Sequence, residues 1–408
     1  MHTTWDVWDT LIARRTMTDA RLLHDEHEPA QVLAREQAQC FPIAENVAHV
    51  KATDVLVSDY DCPNVVPALV REITGLTNEV VVTNDWKTQG KIWDWLPLRP
   101  NRHVGDNKES DGTATKYGVT FEFVEQHKFS QSENYLNDHG FPGCARLMRE
   151  VRLSTWHEDR TMRNLQLFQS QSNLPMLFLA SIALHRKMLE QNFNRVLMSS
   201  RDCFLWSKLF ETLRPQQGGK YDSIYFWTSR LTRYYPSANY RAYLHRLMEN
   251  RRVLTIDLCG SGKSLKALLP GQALWILLSH RFCAVDWYRE AGIYEPANWA
   301  QHPMVYDVDA DGNPIWANPL GIDWENIPQL KVMHDTFFHA VRVAPLHDFT
   351  TDFKTSDTNL LNTFREVKGQ MDKYDPDVHC LDALSATDGD NYTLCRAELW
   401  KIYGKGGG

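Results

Sequence analysis

Over residues 3 to 125, short apolar runs alternate with stretches of helical periodicity, and few architectures accept that rhythm. Thr4–Trp8, Asp54–Val57, Glu79–Thr83 and Arg102–Val104 read as strands. Arg21–Gln39, Val65–Ile73, Lys91–Leu96 and Ala114–Gly118 read as helices, the last closed by its glycine. Parallel strands need long crossovers and helices supply them, so the expected fold is α/β with a parallel sheet covered on both faces. Ligands of such open sheets sit at the carboxyl ends of the strands.

A second alternating set begins after a polar stretch at 126–150, read as a boundary, and a helical region, Leu165–Glu190, with a break expected at Pro175. Arg195–Met198, Ser223–Trp227, Val253–Leu258 and Leu274–Leu278 read as strands. Cys203–Leu213, Ala238–Glu249 and Ser264–Leu269 read as helices between them. From 285 the chain is rich in Trp, Pro, Asn and Asp, with helices expected at Lys331–Arg342 and Asn359–Met371. The chain of 408 residues is long enough for two or three domains of roughly 150 residues each. The divisions expected are 1–125, with an insertion at about 11–52, then 126–190 as a helical linker, 191–284 as a second α/β domain, and 285–408 as an extension.

Bulk properties narrow the function classes. A net charge of −7 argues against a dedicated nucleic-acid binder, which needs a broad basic field. The apolar run Ala273–Leu278 falls far short of the roughly 18 residues of a membrane span. The start, Met1-His2-Thr3-Thr4-Trp5, is polar, so no leader is expected. Eight scattered cysteines without a zinc-like spacing suit reduced thiols and a cytoplasmic location.

Four segments then carry chemistry in a fixed order: Trp5-Asp6-Val7-Trp8-Asp9-Thr10-Leu11, Val55-Leu56-Val57-Ser58-Asp59, Lys87, and His103-Val104-Gly105-Asp106 with Asp111 behind it. Together they resemble the four motifs of the haloacid dehalogenase-like (HAD) superfamily. The resemblance implies a Rossmannoid sheet with a small helical cap at about 11–52. Asp6 would be the nucleophile giving an aspartyl-phosphate, Ser58 a phosphate-binding hydroxyl and Lys87 a neutralising cation. Asp6, Asp106 and Asp111 would hold Mg²⁺ through hard oxygen ligands. Family phosphatases carry an acid two residues after the nucleophile; here that position is Trp8. Asp9, one residue further, is the replacement acid on offer. The other readings are a leaving group that needs no acid and a domain that has lost phosphatase activity. The segment is closest to a sub-branch reading Asp-x-aromatic-Asp-Thr-Leu.

That sub-branch often carries a C-terminal domain, and Val196–Asp202, Ile224–Arg230 and Val253–Ser264 look like its blocks. Gly260-Ser261-Gly262-Lys263-Ser264 invites a P-loop reading, but the first glycine of that motif falls on Asp257, a carboxylate where phosphate should be cradled. The loop is closer to that of type I phosphoribosyltransferases, where an acid at a strand end precedes a phosphate-binding turn. This resemblance makes Asp257, Ser261, Gly262, Lys263 and Ser264 phosphate-binding candidates. Arg201, Arg230 and Arg233 each follow a strand-like run and could clamp a phosphate bidentately, or equally pair with Asp202 and Asp257.

The expected function is a Mg²⁺-dependent phosphohydrolase acting on a phosphorylated sugar or nucleotide, with a second domain that binds a phosphorylated ligand. The alternatives are a phosphatase joined to a kinase-like domain acting on polynucleotide ends, and a binding or scaffold protein with a decayed HAD domain.

Overall fold

The computed structural model of the chain describes residues 2–16, 28–60, 62–83, 85–97, 99–279, 297–371 and 379–403. The chain forms two compact units, one of residues 1–138 and 145–158, the other of 139–144 and 159–408. No helix among the described residues is long and apolar enough to cross a membrane.

The first unit is built on a five-stranded sheet. Its strands are β1 (Thr3–Asp6), β4 (Val55–Ser58), β5 (Val80–Val82), β6 (Arg102–Gly105) and β7 (Thr120–Phe123). They run parallel in the spatial order β5-β4-β1-β6-β7. The chain therefore starts in the middle, winds out to β5, returns past β1 and winds out the other way. The reversal lies between β1 and β6, where open parallel sheets form their ligand crevice.

Successive residues of a strand face opposite sides of a sheet, and both sides here are buried. Leu56 of β4 packs with Trp5, Val66, Leu69 and Val104 on one face. Its neighbour Val57 packs with Val81, Ile92, Trp93 and Ala114 on the other. The helix Val66–Thr74 covers the first face and ends at Gly75, left-handed at φ 74°. The short helix Ile92–Trp95 lies on the second, with the segment Asp111–Tyr117. That segment was expected as an α-helix from Ala114; it is a 3₁₀ turn that starts three residues earlier. Asp54 ties the central strands together, accepting from Trp5 Nε1 at 3.0 Å and from the Thr3 amide at 3.3 Å.

The stretch expected as a small helical cap is not purely helical. It opens with β2 (Ile12–Arg14) and returns through β3 (Cys40–Pro42), an antiparallel pair. The helix Pro29–Gln39 leads into β3 and packs on the helix Val66–Thr74. Residues 21–27 of the expected helix lie outside the described residues. Leu11, Ile12 and Cys40 belong to the main core, with Leu33 packed against it, so this segment is part of the unit's own interior.

The second unit holds four parallel strands, β8 (Arg195–Ser199), β9 (Asp222–Phe226), β10 (Val253–Gly260) and β11 (Ala273–Ser279), ordered β11-β10-β8-β9. Its winding reverses between β8 and β10. A hairpin of β12 (Met304–Val308) and β13 (Pro314–Ala317) and the helices Pro328–Val343, Asp357–Met371 and His379–Tyr403 belong to the same unit.

The break expected at Pro175 falls just ahead of it. A π-helical turn, Gln169–Asn173, separates the helix Arg160–Phe168 from the helix Leu174–Glu190, in whose first turn Pro175 sits. Proline has no amide to donate, and a π turn absorbs the missing bond. The turn's buried amides find partners of their own: Asn173 and Asn298 exchange two side-chain hydrogen bonds of 3.0 and 2.9 Å.

Gly262, between β10 and the helix Lys263–Leu268, is left-handed at φ 66°. A Cβ there would lie 2.5 Å from Ile276 Cδ1 and 2.8 Å from Leu274 Cδ2 of β11. The glycine is needed for close packing on the neighbouring strand. Gly262→Ala is expected to lower the stability of the second unit by about 2 kcal/mol, combining backbone strain with overpacking. Urea unfolding monitored by tryptophan fluorescence checks this, and an unchanged midpoint would mean that β11 yields to the methyl group.

Candidate active site

Asp6, Ser58 and Asp106 end, or immediately follow, three adjacent strands. Asp6 pairs with Val57 across β1 and β4, and Trp5 pairs with Val104 across β1 and β6. Lys87 comes from the loop after β5. The four sequence motifs thus meet at the crevice where the winding reverses.

Lys87 is buried, and its ammonium joins Asp6 Oδ1 to Asp111 Oδ1, the latter at 2.7 Å. Burial alone would pull the lysine pKa down. The two carboxylates outweigh it and raise the pKa, so the ammonium stays charged. The Lys87 loop is held by Asp59, which accepts from the amides of Lys87 and Thr88 at 3.1 and 3.0 Å and from Thr83 Oγ1 at 2.5 Å.

Asp111 is fully buried. Its Oδ2 accepts from the Asn107 amide at 3.0 Å, and Nε2 of His103 stands 3.2 Å from its Oδ1. Burial works against the charged form, but Lys87 and His103 outweigh it and hold this carboxyl below the usual range. Burial depresses His103, which keeps its ring neutral behind the carboxylate, with Nδ1 3.0 Å from Thr4 Oγ1. Gly105 makes the arrangement possible, since a Cβ there would lie 2.2 Å from Asp111 Oδ2.

Asp6 and Asp106 behave in the opposite way. Burial pushes the Asp6 carboxyl well up; Lys87 opposes this, and Asp111 and Asp106 add to it. Burial, then Asp9 and Asp111, push Asp106 up to about 7. One carboxylate oxygen from each of Asp6, Asp106 and Asp111 lies within 4.8 Å of the others. Lys87 alone does not balance three carboxylates at that spacing. A hard divalent cation would, and these three carboxylates could hold one. Ser58 Oγ is fully buried at the same strand ends and has no hydrogen-bond partner among the described residues.

Trp8 occupies the position of the missing acid. Arg14 stacks on its ring at 3.7 Å, Tyr60 lies 5.0 Å from it, and Arg14 is clamped by the buried Glu36 at 3.0 and 3.1 Å. Asp9 lies beyond, at a left-handed corner with φ 54°. Its carboxylate gathers with Asp106 and His127, again with ligand atoms within 4.8 Å of one another. His127, in the polar stretch read as a boundary, escaped sequence reasoning, and a lone histidine there carries no signal. Asp59 and His103 stood inside the motifs, but nothing in the sequence assigned them a positioning role.

The second-unit candidates do not gather at one place. Asp257 sits on β10 beside the reversal point, where Ser199 donates to its Oδ1 and Arg233 Nη1 stands 3.4 Å from its Oδ2. Arg201 pairs instead with Asp388 at 2.6 Å, its guanidinium 4.2 Å from the Trp299 ring. Arg230 is exposed, 6.0 Å from the Tyr392 ring. Strand β10 runs through Gly260, leaving Ser261 and Gly262 as the whole connection to the helix Lys263–Leu268. Ser261 Oγ accepts from the Lys263 amide at 3.4 Å, Lys263 is exposed, and Ser264 is half-buried in the first turn.

Comparison with known protein families and with curated proteins returns no match to this chain.

The raised Asp106 carboxyl has a consequence for stability. Below the ordinary carboxylate pKa of roughly 4 it is protonated in the folded and unfolded chain alike; above that, only the unfolded chain ionises freely. Its contribution is therefore present at low pH and is lost as pH rises through about 7. In EDTA, thermal melts between pH ~4 and ~8 should show the wild type losing ground to Asp106→Asn as pH rises. Divalent cations should close the gap. Parallel curves for the two proteins would mean that this carboxyl ionises at no cost in the folded chain.

Proposed function

We propose that the first unit is a HAD-like phosphohydrolase that works through an aspartyl-phosphate on Asp6, with Mg²⁺ as its cation and a phosphorylated sugar or nucleotide as its substrate. The observation that carries the reading is the meeting of Asp6, Ser58, Lys87, Asp106 and Asp111 at the crevice of one parallel sheet.

The residues divide the work. Lys87 engages Asp6 Oδ1, while Oδ2 keeps only a long contact of 3.5 Å with Thr10 Oγ1, so Oδ2 is the oxygen free to attack. Attack forms the Oδ2–P bond and breaks the bond from phosphorus to the leaving oxygen, which takes up a proton as it departs. Water then attacks phosphorus, releases inorganic phosphate and regenerates the Asp6 carboxylate. Ser58 Oγ donates to a phosphoryl oxygen, which gives that buried hydroxyl a partner. Lys87 neutralises charge on both nucleophile and phosphoryl group, and Asp111 with His103 behind it fixes where the ammonium stands. A divalent cation held by Asp6, Asp106 and Asp111 would supply the remaining charge neutralisation.

The test is phosphate release from phosphorylated sugars, nucleotides and polynucleotide ends, with Mg²⁺ and with EDTA. Asp6→Asn is expected to lower turnover by on the order of 10³-fold or more, since it removes the nucleophile. Lys87→Met should cost about 10²- to 10³-fold. Full turnover by Asp6→Asn would overturn the mechanism. No turnover of any phosphomonoester by the wild type would favour a decayed domain, the reading that Trp8 in the acid position supports.

A further inference from the structure

Asp9 and His127 are not used by the chemistry above, yet they border it through Asp106. His127 Nδ1 faces Asp106 Oδ2 at 3.9 Å; it is buried and has no hydrogen-bond partner among the described residues. The imidazole also interacts with the Asp9 backbone. Arg149 braces the His127 backbone, donating Nε–H to the His127 carbonyl, and donates Nη1–H to the Arg14 carbonyl at 2.8 Å. Asp9 is fixed in turn, its amide donating to the Ile12 carbonyl at 2.7 Å across the left-handed corner. Asp9, Asp106 and His127 thus present two carboxylates and one imidazole, each on a braced backbone, with ligand atoms within 4.8 Å of one another.

We infer that Asp9, Asp106 and His127 form a second divalent-cation site that shares Asp106 with the first. An imidazole beside two carboxylates suits manganese or zinc better than magnesium, which prefers an all-oxygen shell.

Charge balance points the same way, on the reading that the substrate is a phosphate monoester. Among the groups that act most strongly on Asp6, Asp9, Asp106 and Asp111, Lys87 and Arg149 are the cations, so with all four carboxylates ionised the cluster carries an excess of two negative charges. A phosphate dianion doubles that excess, and a single divalent cation covers half of it. A second cation closes the balance. It also assigns Asp9 to cation binding rather than to proton donation.

The experiment is Mn²⁺ binding to the full chain after chelator treatment, followed by calorimetry and by pulsed electron paramagnetic resonance. Two ions per chain are expected, with a nitrogen coupling from one imidazole. His127→Ala should weaken one ion at least tenfold, leave the other unchanged and abolish the nitrogen signal. One ion per chain would overturn the inference, as would a wild-type spectrum without nitrogen coupling. The spectrum is read on the wild type, so the outcome does not depend on the variant folding. Asp6→Asn separates the two readings: it abolishes turnover if the phosphohydrolase reading holds, and it keeps the nitrogen-coordinated ion if this site exists. Two bound ions without phosphatase turnover would leave the cation site standing alone.

Discussion

The ammonium of Lys87, buried between Asp6 and Asp111, is the interaction on which the first unit's site depends. Removing three charges from water is costly, and their mutual attraction repays this only when the geometry is tight and the remaining hydrogen bonds are met. The geometry is tight on the lysine side. Asp59 fixes the backbone from which Lys87 extends, and Asp111 receives the Asn107 amide as well as the ammonium. The two carboxylates differ: Asp6 is raised while Asp111 is lowered, although both touch the same ammonium. The difference is that His103 and the Asn107 amide assist Asp111, while Asp6 faces Asp106 and Asp111 with little besides Lys87. A site built this way keeps Asp111 ionised and leaves Asp6 short of counter-charge. That shortfall is what a cation and a substrate can each respond to.

How the rest of the unit supports that cluster follows from the sheet. The register of β1 with β4 and β6 puts three functional positions on one edge without any loop having to find its own conformation. The antiparallel pair β2–β3 brings Arg14 against Trp8, and the buried Glu36 holds Arg14 there. Breaking a buried ion pair by removing one partner costs several kcal/mol, so the indole is held firmly. The indole at position 8 is thereby a fixed wall. On the proposed phosphohydrolase reading, the proton for the leaving oxygen would come from another direction or from solvent.

Much of this was legible in the sequence, for identifiable reasons. The strands of both sheets showed as apolar β-branched runs, because parallel strands buried on two faces leave little room for polar residues. The motif residues Asp6, Ser58, Lys87 and Asp106 showed because each directly follows or ends such a run or its loop. What did not show depends on contacts distant in sequence. β7 has alternating, largely exposed residues and gave no apolar run. The β2–β3 pair is three residues per strand, too short for periodicity to register. The π turn ahead of Pro175 depends on Asn298, far along the chain. His127 becomes meaningful only when Asp106 and Asp9 stand beside it; the pairing of an arginine with Asp257 was open from sequence and Arg233 makes it, while the turn of Arg201 to Asp388 depends on a residue far along the chain.

The two parallel sheets invite the same expectation, a ligand at each reversal point, but their polar groups differ in a way that separates them. A buried polar atom without a partner carries a free-energy cost, and native chains keep few of them. At the first crevice Ser58 Oγ and His127 Nδ1 are both left in that state among the described residues, beside carboxylates raised by burial and by one another. At the second, the carboxylate on β10 is met on both oxygens, Oδ1 by Ser199 and Oδ2 by Arg233. Its unsatisfied charged atoms, Arg201 Nη1 and Asp388 Oδ1, belong to a different ion pair set against Trp299. Shared topology therefore does not give shared chemistry. The first crevice carries a polar deficit that an anion and its cations would fill. At the second, Asp257 already has from its own chain the partners that a ligand would otherwise supply.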